Sequence, residues 1–324
     1  MRREPLFVGS VVPKLYPMTF EPVYHQHIWG GERIKKAFDR PRAPMRSSES
    51  WEVADREEGM SLVANGPFKG RALGEIVQQY GEALLGQGCN NDRFPLLIKI
   101  IDASEPLSIQ VHPSEESAPA VQGEPKTEMW YLLEGGPVYA SFKKPVTPEA
   151  FARAVKDKSV ADLLQKVDAK PGDAIFIPGG RMHAIGPGCL IFEVQQNSNT
   201  TYRVYDWDRV DSQGKRRPLH LEQALQCTQW NDDQDPSVLP ILLVDDGISK
   251  QWRVLSTPFF TVERLEITDH YRISPNPKTY QIIFHLSGKR KGECCLLPAV
   301  SEPLDLEGPA HVLRIFSRSI KELS

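Results

Sequence analysis

The chain is 324 residues long, 40% hydrophobic and 25% charged, with a formal net charge of -3. These values describe an ordinary globular protein with room for two domains, and they exclude fibrous, collagen-like and disordered classes. The slight acidity gives no electrostatic case for a nucleic-acid partner or an anionic membrane surface, so phosphate on any ligand has to be met by local cations.

The N-terminus, Met1-Arg2-Arg3-Glu4-Pro5-Leu6-Phe7, lacks the continuous apolar core of a signal peptide, and no stretch approaches the length of a membrane span. Cytoplasmic residence is the default expectation, and residues 1–17 are expected to form a tail. The first periodic segment is 73–85, where Leu73, Ile76, Val77, Tyr80, Leu84 and Leu85 follow the 3.6 period of a helix. Short β-branched or aromatic runs bounded by turn residues predict strands at 96–101, 130–133, 174–177, 190–194, 202–205, 260–267 and 280–286. A second helical interruption is predicted from Thr147, an N-cap followed by Pro148 at the first helical position, through Phe151 and Val155; it restarts at Ser159 and ends near Val167. The basic run 215–217 reads as a solvated loop, and the polar, proline-bearing segment 231–237 as a linker. Five cysteines, an odd number without C-x-x-C spacing, make no disulfide framework, and the adjacent Cys294 and Cys295 read as buried hydrophobes. The whole is an all-β barrel or sandwich pattern with small helical insertions.

Within that pattern four donors stand out. Gln110 and His112 share one face of a short strand while Val111 points the other way. Glu128 opens the apolar run 129–133, and His183 closes the segment that starts at Gly172. Two nitrogen and two oxygen donors would surround one metal ion. The spacing Gly172, Pro178, Gly180, His183 matches the second cupin motif, and Glu128 with Gly135 matches the end of the first. The chain departs from the common cupin pattern in having Gln110 where His is usual and a longer interval between His112 and Glu128.

A fainter repeat follows. The segment 280–288 echoes 127–135, and 292–298 echoes 172–178; aligning the glycines puts Gln281 at the place of Glu128 and Pro303 at the place of His183. Two cupin-like, jelly-roll barrels are expected: a catalytic one over 18–235, with its helical insertion near 147–167, and one over 236–324 that lacks the ligands. His285 in the second reads as structural.

The motifs Ile28-Trp-Gly-Gly, Ser48-Glu-Ser-Trp-Glu-Val-Ala, Leu107-Ser-Ile-Gln-Val-His-Pro, Lys126-Thr-Glu-Met-Trp-Tyr and 193–207 resemble type I mannose-6-phosphate isomerase in its short bacterial form. The likeness is dense from Phe20 to about Arg209 and thins beyond the linker; Asn199 stands where the family has Asp. The resemblance implies a zinc enzyme, one ion per chain, with Gln110, His112, Glu128 and His183 as ligands. It would interconvert mannose 6-phosphate and fructose 6-phosphate through a cis-enediolate.

Such a reaction needs a base, a cation facing the developing oxyanion and a proton shuttle between oxygens. Arg203, on a strand face with Thr201 and Tyr205, is the expected electrostatic catalyst. Glu193 faces away from Leu190, Phe192 and Val194, and so into the barrel, where burial would raise its pKa and make it a base. Lys126, two residues before Glu128, competes with it as proton carrier or else binds an oxyanion. Lys99, inside an apolar strand, either reaches a rim or meets an anion; with Ser108 it is the candidate for the substrate phosphate. Glu49 and Trp29 are candidate substrate contacts from the matched N-terminal motifs. Two other classes remain open at this level: an Fe(II) cupin oxygenase using His112, Glu128 and His183, and a sugar-phosphate-binding cupin without turnover. Oligomeric state is not legible.

Overall fold

Frequent turn residues keep the elements short, and β-branched and aromatic runs make most of them strands. The computed structural model describes residues 14–317, apart from Asn91 and Ser212, so the expected tail lies mostly outside the described residues. Leu15 and Tyr16, at its end, are packed: Leu15 is buried, and Tyr16 stacks on Phe68 at 5.4 Å.

Three antiparallel sheets organise the protein. A seven-stranded sheet runs Ser237–Val238, Ala174–Ile177, Glu128–Glu134, Cys189–Gln196, Leu96–Ala103, Glu49–Val53 and Val23–His25. A five-stranded sheet runs Leu164–Ala169, Gly136–Phe142, His183–Ile185, Ile109–Val111 and Tyr202–Tyr205. An eight-stranded sheet begins at the edge strand Ile241–Asp245 and ends with Cys294–Leu297, Met18–Glu21 and Leu62–Val63.

The seven-stranded sheet is buried on both faces, which explains its near-continuous apolar strands. Leu190, Phe192 and Val194 pack with Phe284, Leu296 and Leu313 of the eight-stranded sheet, and Phe192 stacks on Phe284 at 4.2 Å. Alternate residues face the five-stranded sheet, where Trp130, Ile177 and Ile191 meet Val138, Ala140 and Ile185. The outer face of the five-stranded sheet is covered by the helices Pro148–Lys156 and Leu221–Cys227 through Phe151 and Ala224. No helix among the described residues is long and apolar enough to cross a membrane.

Several expectations need correction. The helix over 73–85 is broken: Leu73–Tyr80 stops at Gly81, whose φ of 45° leaves the helical region, and Glu82–Leu85 follows as a separate turn. The second helix forms as Pro148–Lys156, with Thr147 Oγ1 capping the Ala150 amide, but its expected restart is a 3-10 turn at Val160–Leu163 followed by the edge strand Leu164–Ala169. Leu164 and Val167 pair with Phe142 and Val138, so sheet pairing overrides local helical signal. Segment 231–237 is stitched down rather than free: the buried Arg181 guanidinium takes Asp232 as its carboxylate, and the Phe176 amide bonds Pro236 O. Strand pairing also crosses the division expected at 235/236, since Met18 pairs with Leu296 while Ser237 pairs with Ile175.

The internal echo has a structural counterpart in register. Glu128 pairs with Ile177, and Gln281, its equivalent, pairs with Leu297, the equivalent of Ile177. Gln281 is buried and donates to Ser274 O, a structural bond where its counterpart carries a carboxylate.

Candidate active site

The site lies between the five- and seven-stranded sheets, in a cavity of about 330 Å³. On the five-stranded side, His183 and Arg203 both pair with Gln110 on the intervening strand, so three functional side chains stand in one row. On the seven-stranded side, Trp130, Glu193, Lys99 and Trp51 form a second row across four strands. Each row follows from strand alternation: apart from Trp51, which stands between the buried polar Ser50 and Glu52, their neighbours in sequence are apolar residues that fill the cores behind.

His112, Glu128 and His183 converge at the inner end and are buried. His112 Nε2 is 3.5 Å from Glu128 Oε2, and His183 Nε2 is 3.6 Å from Glu128 Oε1. Each imidazole donates Nδ1–H to a backbone carbonyl, Thr200 O at 2.8 Å for His112 and Arg181 O at 2.9 Å for His183, which turns the Nε2 lone pairs inward. His112 Nε2 has no hydrogen-bond partner despite its burial. Burial lowers both histidine pKa values, that of His183 to about 3, so both rings are neutral donors at ordinary pH. Four donors at about 2.1 Å from an ion at tetrahedral angles stand roughly 3.4 Å apart, and the two histidine–carboxylate separations are of that size, with all three donor atoms within 4.8 Å of one another. Gln110 Nε2 stands 3.3 Å from His183 Nε2, and its Oε1 accepts from Ser108 Oγ. A half-turn of the amide presents oxygen to the histidines and lets nitrogen donate to Ser108.

The other expected residues all reach the same cavity. Lys126 Nζ is 2.7 Å from Glu128 Oε2. Glu193 Oε1 accepts from Trp130 Nε1 at 3.1 Å, while the buried Oε2 has no hydrogen bond and lies 3.6 Å from Lys99 Nζ. Burial, reinforced by Glu128, pushes the Glu193 carboxyl up to about 7. Glu49 lies 3.3 Å from Lys99 and accepts from Trp51 Nε1 at 2.7 Å. Burial alone would raise the Glu49 carboxyl, but Lys99 and His27 outweigh it and bring it to about 2. Burial likewise works against the Lys99 ammonium, and Glu49 with Glu193 more than compensates, so its pKa ends up raised. Lys99 therefore meets two carboxylates and reaches no open rim. Trp29 forms part of the wall, with His27 stacked on it at 5.4 Å.

Arg203 Nε donates to Ser108 Oγ at 3.2 Å and Nη1 to Pro218 O at 3.0 Å. Burial, with the nearby Arg217, lowers its pKa, while Asp206 acts the other way. Tyr205 does not share its face as expected: the pairing slips between Arg203 and Tyr205, and the bulge turns Tyr205 into the core under helix Leu221–Cys227. Arg217 corrects the reading of 215–217 as wholly solvated, since it lines the cavity and is held by Asp206 through Nε at 2.8 Å. His25 and His27, at the mouth, were also missed; two histidines two residues apart, the first closing the strand Val23–His25 and the second just beyond it, were the available signal. Glu58 and Asn199 complete the mouth, 3.3 Å apart.

With this geometry established, known proteins can be compared. A family model described as the catalytic domain of type I phosphomannose isomerase matches residues 18–131. The chain is 41% identical over 315 residues to a mannose-6-phosphate isomerase of Bacillus subtilis, spanning 92% of this chain and 98% of that one. It is 33% identical over 313 residues to the mannose-6-phosphate isomerase of Streptococcus mutans, spanning 92% and 97%. A crystal structure of mannose 6-phosphate isomerase from Bacillus subtilis superposes with a TM-score of 0.85 at 28% identity, covering 93% of this chain and 99% of the other. The chain therefore belongs to the type I mannose-6-phosphate isomerase family of aldose–ketose isomerases.

Proposed function

We propose that this chain is a zinc-dependent isomerase that interconverts mannose 6-phosphate and fructose 6-phosphate through a cis-enediolate, acting as a cytoplasmic enzyme on a small sugar phosphate. The observation that carries the reading is Glu193 Oε2, a buried carboxylate oxygen without a hydrogen bond in the cavity that Gln110 and Glu128 line, with His112 and His183 packed against the Glu128 carboxylate. Two imidazoles, a carboxylate and the Gln110 amide oxygen are a donor set that suits one zinc ion per chain. When bound, zinc supplies a Lewis acid for the sugar oxygens at C1 and C2.

The rest falls to the chain's own groups. Glu193 Oε2 takes the proton from C2; the C–H electron pair becomes the C1–C2 double bond as the carbonyl oxygen gains negative charge. Glu193 then returns the proton to C1 while the C2 hydroxyl proton passes to the C1 oxygen, so that C2 becomes the carbonyl and C1 the alcohol. Trp130 Nε1 orients this carboxylate, and Lys99 and Glu49 hold its surroundings near neutrality. Lys126 binds the developing oxyanion next to Glu128, and Arg203 offers a permanent charge to the enediolate or the phosphate, with Ser108 beside it. The paired state of Lys99 argues against its earlier role as a phosphate ligand and favours Arg203 with Arg217. Trp29 remains a candidate wall for the sugar.

The same reading extends to the fold. The five- and seven-stranded sheets make the jelly-roll layers of a catalytic cupin barrel over 18–235, and the eight-stranded sheet belongs to a second cupin-like unit over 236–324 that borrows the strands Met18–Glu21 and Leu62–Val63. A coupled assay of zinc-loaded protein with mannose 6-phosphate, run beside several other aldose phosphates, tests the activity; binding without conversion would sink it. His112→Ala should lose bound zinc and turnover together, as read by metal analysis and by the assay.

A further inference from the structure

Arg203 stands on Tyr202–Tyr205, the edge strand of the five-stranded sheet, which among the described strands pairs with Ile109–Val111 alone. At such an edge the outward backbone groups have no ladder to join. At Arg203 one residue supplies both partners: His220 N donates to Arg203 O at 2.7 Å, and Arg203 N donates to His220 Nδ1 at 3.2 Å. The imidazole nitrogen takes the place of a carbonyl on a neighbouring strand. Its position matters, because the pairing slips between Arg203 and Tyr205, and a bulge re-aims the side chains beside it. The guanidinium is held by neutral groups, Ser108 Oγ and Pro218 O, so its aim depends on where the backbone is fixed. His220 is itself anchored. Its carbonyl accepts from Ala224 N at 3.0 Å, opening the helix Leu221–Cys227, and Ala224 packs with Tyr202 and Val204, the neighbours of Arg203. The imidazole lies edge-on to the Tyr202 ring at 6.1 Å.

We propose that His220 is the positioning residue of Arg203: its Nδ1 lone pair and its backbone N–H clamp the Arg203 peptide groups at the bulge and so hold the guanidinium towards the cavity. The proposal rests on the role given to Arg203 above. An Nδ1 that accepts from a backbone N–H carries no proton, so the ring is the neutral Nε2–H tautomer. Burial and the Arg203 cation favour that state by lowering the pKa of the ring. The clamp needs an acceptor at one place more than it needs an imidazole. Asn carries Oδ1 two bonds from Cβ, as His carries Nδ1, and can accept the same bond; Phe fills the space of the ring and cannot. The same segment brings Arg217 to the cavity and Pro218 O to the Arg203 guanidinium, so residues 217–220 form one support for the cationic side of the site.

Two variants separate the clamp from packing. His220→Phe should lower kcat/KM for mannose 6-phosphate by about ten- to a hundredfold, the scale of a misplaced catalytic group, with zinc content and the thermal melt unchanged. His220→Asn should recover most of that loss. In an Arg203→Ala background His220→Phe should have little further effect, under about twofold, because the residue acts through the guanidinium. A Phe variant as active as the wild type overturns the proposal, as does an Asn variant no better than Phe, or a full independent effect in the Arg203→Ala background. A readout without turnover keeps the clamp apart from the proposed function. The NMR order parameter of Arg203 Nε–H should fall in His220→Phe and hold in His220→Asn; unchanged order in His220→Phe overturns the clamp. A chain that shows this pattern of order and converts no mannose 6-phosphate supports the clamp and sinks the isomerase reading alone. If His220→Phe does not fold, the nitrogen chemical shifts of His220 in the wild type decide: an unprotonated Nδ1 supports the clamp, and a protonated Nδ1 overturns it.

Discussion

Glu193 shows how a residue can be legible and still need its surroundings to define it. Alternation with Leu190, Phe192 and Val194 is enough to turn it towards the site, but what suits it to the proposed role of base is the combination of Trp130 on one oxygen, no hydrogen bond on the other, and burial. A carboxyl raised to about 7 works as a base only when ionised, so kcat/KM should fall as pH drops below about 7. In Glu193→Gln that acid limb should vanish along with turnover while zinc content holds; loss of zinc would instead make the residue a support for the metal site. The four proposed metal donors were legible because short motifs fix their spacing along the chain. His27 and Arg217 were not, because each enters the cavity from a segment whose local pattern says only strand or loop, and their roles depend on Trp29, Glu49 and Asp206 brought from elsewhere.

At the scale of elements, local signals located strands and the capped helix well and misjudged places where pairing decides. The 160–167 segment reads as helical by composition, yet Leu164–Ala169 closes the edge of the five-stranded sheet. The bulge at Arg203 is equally invisible in sequence, since Tyr202 to Tyr205 looks like a regular strand and only its register against Ile109–Val111 reveals the slip. The strand Cys189–Gln196 links site and core most directly: one of its faces presents Glu193, the other presents Phe192 to Phe284. Phe284→Ala removes a fully buried ring from that contact and should cost about 3–5 kcal/mol, read as a lower urea midpoint. A change under about 1 kcal/mol would mean that the two sheets repack independently of this pair.

For the whole molecule, acid sensitivity outside the metal site should centre on His285. Its Nε2 is buried without a partner, and burial, aided by Arg290, lowers its pKa to about 4. The depressed folded value means that the unfolded chain takes up the proton first. Stability is therefore full above the unfolded value of about 6.5 and is lost as pH falls through about 4. His285→Gln should flatten the stability-versus-pH curve between about 6.5 and 4 in metal-free protein, measured by urea unfolding; an unchanged slope would place the acid sensitivity elsewhere. The internal echo was readable in sequence down to the register of Gln281, whereas the union of the chain's two ends was not, because no local pattern specifies a partner so far away.

That union has a consequence for synthesis on the ribosome. The strand Met18–Glu21 leaves the exit tunnel long before its partner Cys294–Leu297. At roughly 5–20 residues per second, Met18 and Phe20 wait on the order of 15–55 s for that partner, with their apolar side chains uncovered in the meantime. The five- and seven-stranded sheets can assemble during that interval, but one face of the seven-stranded sheet stays without its cover until the partner strand emerges. A nascent chain of this protein should therefore lean on holding chaperones around Met18–Glu21.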